Sequence, residues 1–325
     1  MSKKYKTFSK KKMIWGIAAC VLSLSLFSAC GKEKISVFLE AHKDEQGKYD
    51  VQGNYDVKEI DLEQIGINTP GGVCCYDGSI YVCDIANNCI VKLSKDLVRE
   101  ESYGTLGMEE GNFSKPQDIT FSGNCFYVLD NGNSRIQKFD ADFRYQETYY
   151  LAVLHCVPAM YMSIAVDEGG AIYVTTNAAD EEDAFVHCLE NGLWNKIGGE
   201  IVGYLCAGDG NVYFAKQFEF IIEEKVTITQ SGENTLYVLQ DGGLKPLAQI
   251  MKSYAPSALT YQDSCFYMIS SGYRMVNRFS QQDRNFDTLF FLPQSSEYMY
   301  MDIDEAGNLY ISDSGNKCFY VAEKQ

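Results

Sequence analysis

The stretch that decides the fold runs Lys115-Pro116-Gln117-Asp118-Ile119-Thr120-Phe121-Ser122-Gly123-Asn124-Cys125-Phe126-Tyr127-Val128-Leu129-Asp130-Asn131-Gly132-Asn133-Ser134-Arg135-Ile136-Gln137-Lys138-Phe139-Asp140. It reads as three short strands, Gln117–Phe121, Cys125–Leu129 and Arg135–Phe139. Ser122-Gly123-Asn124 turns the first pair and Asp130-Asn131-Gly132-Asn133 the second, and these turn residues tolerate positive φ. A meander this small cannot bury both of its faces alone, so it needs copies of itself as neighbours.

The copies are in the chain. An apolar-Tyr-apolar strand recurs around Tyr81, Tyr127, Tyr173, Tyr213, Tyr267 and Tyr310, at separations of 46, 46, 40, 54 and 43 residues. A period of roughly 40–50 residues built from strands and turns is the mark of a β-propeller with one blade per repeat. The fold class is therefore all-β, a six-bladed β-propeller. The last repeat ends four residues after Cys318–Val321, too soon for an outer strand. Tyr55–Leu62 is the expected donor of that strand, and pairing the two ends of the chain in one blade removes an open sheet edge.

The connection from blade 1 into blade 2 is Tyr103-Gly104-Thr105-Leu106-Gly107-Met108-Glu109-Glu110-Gly111-Asn112-Phe113-Ser114-Lys115-Pro116. With Tyr127 to Phe139 after it, this resembles the NHL repeat, whose blades are joined by a glycine-spaced segment ending Phe-x-x-Pro. The resemblance is strong in blade 2 and moderate in blades 1, 5 and 6. It thins in blade 3 after Thr176, and in blade 4, where Gln217 to Asn234 is inserted and reads as an extra hairpin.

Residues 1–29 read as a leader. Six lysines between Lys3 and Lys12 precede the apolar run Met13 to Phe27, and Ser28-Ala29 stands before Cys30, the layout of a secretory signal. The small residues before the cysteine resemble a bacterial lipoprotein signal, which implies a lipid on Cys30, a tether over 30–54 and a propeller over 55–325. The expected location is extracytoplasmic, lipid-anchored to the bacterial cell membrane.

Removing the six leader lysines leaves 22 basic against 44 acidic residues, a net −22. Such a surface repels phosphate backbones, so nucleic acid is excluded as a partner. Of the twelve cysteines, ten lie outside the leader and Cys30. Most fall in strands, where thiols serve as small buried apolar groups; free thiols are expected, with Cys83 and Cys89 the best-placed pair if any bridge forms.

In six-bladed NHL-like propellers, the loops joining second to third strands share one mouth of the channel with the interblade connections. Carried onto this chain, the resemblance gathers Asn88, Asn131, Asn133, Arg135, His155, Asp180, Asp183, Tyr273, Arg274, Asn316 and Lys317 there. Asp84, Asp130 and Asp313 close second strands and are expected to cap turn N–H groups as Asx-turns do. Asp180 to Asp183 lacks the spacing of a dedicated Ca²⁺ loop, so no cofactor is expected and Ca²⁺ at this loop is the alternative. His42, His155 and His187 are the only histidines; they do not supply three convergent imidazoles for a zinc site. The reading is a monomeric binding or scaffolding module for a protein, peptide or glycan. A divalent-metal-dependent lyase or lactonase in the channel is the competing reading.

Overall fold

A computed structural model describes residues 37–151, 161–176, 185–199, 201–223, 226–230 and 234–325. Six small sheets form a ring. Among the described residues five have four strands, in sequence order from the axis outward except in the sixth, whose outer strand comes from the start of the chain, and the fourth blade has six. The inner strands are Pro70–Tyr76, Pro116–Ser122, Tyr161–Val166, Ile201–Gly208, Pro256–Gln262 and Met299–Ile303. Each lies beside the next, and the sixth returns to the first. The chain is thus a closed six-bladed β-propeller.

Closure follows the expected route. Tyr55–Ile60 pairs antiparallel with Cys318–Lys324, from Tyr55 opposite Lys324 to Ile60 opposite Phe319. The strand stops at Ile60, two residues short of the expected end, because Asp61 caps a four-residue helix, Leu62–Ile65, by accepting the Glu63 N–H at 3.0 Å.

The approach to that strand is bound to the ring from Val37 onward. Phe38–Leu39 runs parallel to the outer strand of blade 4, Phe38 opposite Gln249 and Leu39 opposite Ile250. Leu39 and Ala41 are buried among Ala248, Ile250 and other core side chains. Val51 then bridges Thr288 on the outer strand of blade 5, whose carbonyl accepts the N–H groups of Gln52 and Gly53. One stretch therefore covers the outer edges of blades 4, 5 and 6 in turn. Its apolar residues gain burial there that a free tether would forgo.

The repeated tyrosines sit in the clusters that fill the spaces between blades. Phe113 of the Phe-x-x-Pro segment is fully buried against Phe139. Gly104 is required beside it: its φ is +80°, and a Cβ would lie 2.5 Å from the Phe113 ring. In blade 4 the second strand extends over 13 residues, Asn211–Glu223, and its extension pairs with Val226–Gln230 as an additional hairpin.

Deleting residues 37–60 should expose the Cys318–Lys324 edge. The expected result is a higher mass by light scattering and a melting temperature lower by about 10 °C or more. An unchanged mass and melting temperature would show that the ring closes without this strand.

Candidate functional site

The upper face, where second strands turn into third strands, is fastened from within. Asp84, Asp130 and Asp313 each end a second strand, and each carboxylate accepts the side-chain amide three residues on. The distances are 2.7 Å to Asn87, 2.8 Å to Asn133 and 2.8 Å to Asn316. Each also takes a donor from the connection arriving at its blade: the N–H groups of Asn68 and Thr69, the N–H of Ser114, and the hydroxyl of Ser296. Asp84 and Asp313 also accept the backbone N–H three residues on, the turn-capping role expected of them, whereas Asp130 takes no backbone N–H from its own turn.

Arg135 belongs to the same fastening. It is 4 % exposed, and its Nε donates to Asp130 at 2.7 Å. Its Nη1 and Nη2 donate to the carbonyls of Met108, Glu109 and Asn112, so the guanidinium holds the glycine-spaced connection in shape. Burial raises the Asp130 pKa, against the pull of Ser114, Asn133 and Arg135. Asn133 donates to the Gly107 carbonyl as well as to Asp130. The side chains of these two candidates are thus engaged within the fold.

The other candidates scatter. Asn88 accepts the Lys115 N–H, and Asn316 is bound to Asp313, followed by Lys317 at φ +54°. Tyr273 donates to the Lys252 carbonyl and meets Tyr49 edge to face, and Arg274 donates to the Pro293 carbonyl. Asn131 differs, because its buried Oδ1 has no hydrogen-bond partner and it lines the mouth of the channel. Cys30, His155, Asp180 and Asp183 lie outside the described residues.

The channel itself is divided. An upper chamber of about 210 Å³ is lined by Gln117, Asn131, Met162, Tyr298 and neighbours. A lower chamber of about 310 Å³ opens among the turns between first and second strands on the other face. Between them lie Tyr204 and Tyr300, edge to face at 6.2 Å. The Tyr300 hydroxyl accepts from Gln117 Nε2 at 2.6 Å and donates to the Met162 carbonyl at 3.0 Å. Tyr204 donates to the Glu297 carbonyl.

Two carboxylates in the lower chamber escaped the sequence reading. Asp118 accepts the Ile119 and Ile164 N–H groups, tying blade 2 to blade 3. Asp302 accepts the Cys75 N–H at 2.8 Å and the Thr260 hydroxyl at 3.0 Å, tying blade 6 to blades 1 and 5. Burial pushes the Asp118 pKa up to about 7 and that of Asp302 to about 6, outweighing those hydrogen bonds. The available signal was an acid within an otherwise apolar or hydroxylic inner strand.

Among the described residues, no three His, Cys, Asp or Glu side chains gather where they could hold an ion. His187 is buried, and burial with nearby Lys196 lowers its pKa to about 4, which leaves it neutral. The nine described cysteines are free thiols, Cys83 and Cys89 included.

The comparisons agree with this architecture. The NHL repeat family model matches residues 113–139. The human NHL repeat-containing protein 3 is 33% identical over 97 residues, 28% of this chain and 28% of that protein, so the match spans little more than a quarter of its length. Virginiamycin B lyase from Staphylococcus aureus superposes with a TM-score of 0.53 at 13% identity, over 83% of this chain and 100% of that one. The WD40 repeats of RRP9 superpose with a TM-score of 0.55 at 11% identity, over 85% and 100%. At such identities the two structures share a fold with this chain and nothing finer.

Arg135→Ala should destabilise the protein by about 3–5 kcal/mol in urea unfolding, because it strands the buried Asp130. Lys317→Ala, on an exposed turn residue, should stay within about 0.5 kcal/mol. Asp118 holds its proton more tightly in the folded chain than at its ordinary value of 3.8. Protonation therefore favours folding, and its contribution to stability falls as pH rises from about 4 to about 7, then levels off. Asp118→Asn should flatten that slope relative to the parent, by an amount on the order of 2–4 kcal/mol across the window. Parallel stability curves would refute the assignment.

Proposed function

We propose that this six-bladed β-propeller, with its NHL repeat at residues 113–139, is a binding module held outside the cytoplasm by a lipid on Cys30. Its ligand is a protein, peptide or glycan captured on the upper face. The observation that carries the reading is the hairpin of blade 4. Second strands elsewhere in the ring run five or six residues; this one runs 13 and continues past its sheet to pair with Val226–Gln230. Closing the ring does not require the part beyond Glu219, since the four core strands of blade 4 pair through Asn211–Glu219. Loops carried on a rigid scaffold are where recognition concentrates.

Charge and channel support the same reading. The acidity of the chain disfavours polyanionic ligands, and the tyrosine pair beneath the upper chamber leaves that mouth as a recess with a floor. A floored recess, on a face that also carries an additional hairpin, suits a ligand that lies across that face. The lipid anchor is argued from the leader: a lysine-rich start, an apolar run, and small residues before a cysteine.

The test must spare the base of the hairpin. Asn234 donates to the Lys216 and Gln217 carbonyls and accepts the Ala255 N–H. Glu219 and Gln230 stand opposite each other and Glu219 also pairs with Ile201, so residues 220–229 can be replaced by Asn-Gly, a two-residue hairpin turn. The variant should keep the parent melting temperature and lose its partner in crosslinking pull-downs from membrane fractions. Undiminished capture by a folded variant would overturn the proposal.

A further inference from the structure

The lower chamber carries negative charge that its walls do not balance. Asp118 and Asp302 stand inside it, and Asp167 and Glu168 sit at its rim. Among the described residues that line it there is no Lys, Arg or His. The remaining titratable wall groups are thiols and phenols, Cys74, Cys75, Cys206, Tyr204, Tyr261 and Tyr300. Ionisation of any of these would only add negative charge. Behind the wall, Asp304 raises the Asp302 pKa further, and Asp302 does the same to Asp118. Interior carboxylates are ordinarily matched by a counter-charge, and here the polypeptide supplies backbone N–H groups and hydroxyls instead.

Acceptor capacity remains. Thr260 donates to one oxygen of Asp302 and Cys75 to the other, and the Ile303 N–H also bears on the carboxylate, three donors for four lone pairs. A carboxylate oxygen has two lone pairs, and Asp302 is partly accessible from the chamber. The rings of Phe121, Tyr204, Tyr261 and Tyr300 are also among the walls, and aromatic faces attract cations. The volume of about 310 Å³ is at the small end of ligand-binding cavities. A bare metal ion is the poorer match, because no three-ligand cluster exists among the described residues.

From this geometry we infer that the lower chamber is a binding site for a small organic cation bearing an ammonium group. An ammonium N–H bonds to the open lone pair of Asp302, with Asp118 supplying further negative charge, and the carbon skeleton lies along the aromatic walls. The site is on the opposite face from the proposed capture surface and does not depend on it. The cation competes with the protons that otherwise neutralise the two carboxylates, so binding strengthens as pH rises.

Isothermal titration of the purified protein in 150 mM salt tests this with 1,4-diaminobutane, the neutral isostere 1,4-butanediol, and calcium chloride. At pH 8 the diamine should bind at one per chain while the diol and Ca²⁺ do not. At pH 5 the diamine affinity should fall at least tenfold. Asp302→Asn should weaken it at least tenfold at pH 8, and the parent's pH dependence decides the matter should that variant not fold. Four results would overturn the assignment: no diamine binding at pH 8, an equal response to the diol, a preference for Ca²⁺, or a stoichiometry well above one. Unaltered binding by folded Asp302→Asn would do the same.

Discussion

Backbone pairing between the two ends of the chain is the constraint on which the rest depends. Every blade buries both of its faces against neighbours, so no blade can be terminal without leaving an apolar face in water. Closure also requires the last sheet to find an outer strand, and the chain supplies it from Tyr55–Ile60. The entropic cost is modest, since doubling the length of a closed loop adds only about 0.6 kcal/mol. The segment before that strand extends the same solution. By crossing the outer edges of blades 5 and 4, it covers backbone groups that would otherwise offer themselves to another chain.

Within the ring, the most distinctive text in the sequence turns out to encode fastening. Asp130, Asn133 and Arg135 bind one another and the connection from blade 1, and Gln137 adds two further bonds to that connection. The reason is physical. A long connection over a propeller face exposes many backbone groups, and a buried guanidinium with five donors can satisfy several carbonyls at once. Repeats lacking this arrangement fasten their turns with hydroxyls and backbone bonds, as Ser270 does on the Tyr254 carbonyl in blade 5.

What could be read from the sequence was local and periodic. Six tyrosine-centred strands, their turns, the closing strand and the blade 4 hairpin all announce themselves by alternation and spacing. The parallel strand at Phe38–Leu39 was legible only as part of an apolar run, Ile35 to Leu39, that could pack on the domain; its partner in blade 4 was not, because so short a run carries no period. The internal bonds of Arg135 were hidden for a related reason. A charged side chain beside a turn reads as exposed until its partners in the previous connection are known. Asp118 and Asp302 were hidden because their partners, Ile164 N–H, Cys75 N–H and Thr260, belong to other blades.

The separation of the channel into two chambers of different character rests on register at a single step of blade 2. Gln117 lines the upper chamber and holds Tyr300, while the next residue, Asp118, lines the lower one. The inner strand of that blade carries an irregularity between Pro116 and Asp118, where pairing with the second strand shifts. Blades 1, 3 and 5 shift at the corresponding point, whereas the inner strand of blade 6 pairs without interruption. Bulges re-aim the side chains that follow them, and a one-residue slip would carry Asp118 into the place that Gln117 now holds. The tyrosine partition therefore works only in this register. Placing Asp118 above it would put a charge where Gln117 now donates to Tyr300, and placing Gln117 below would leave the Ile164 N–H facing an amide in place of a carboxylate.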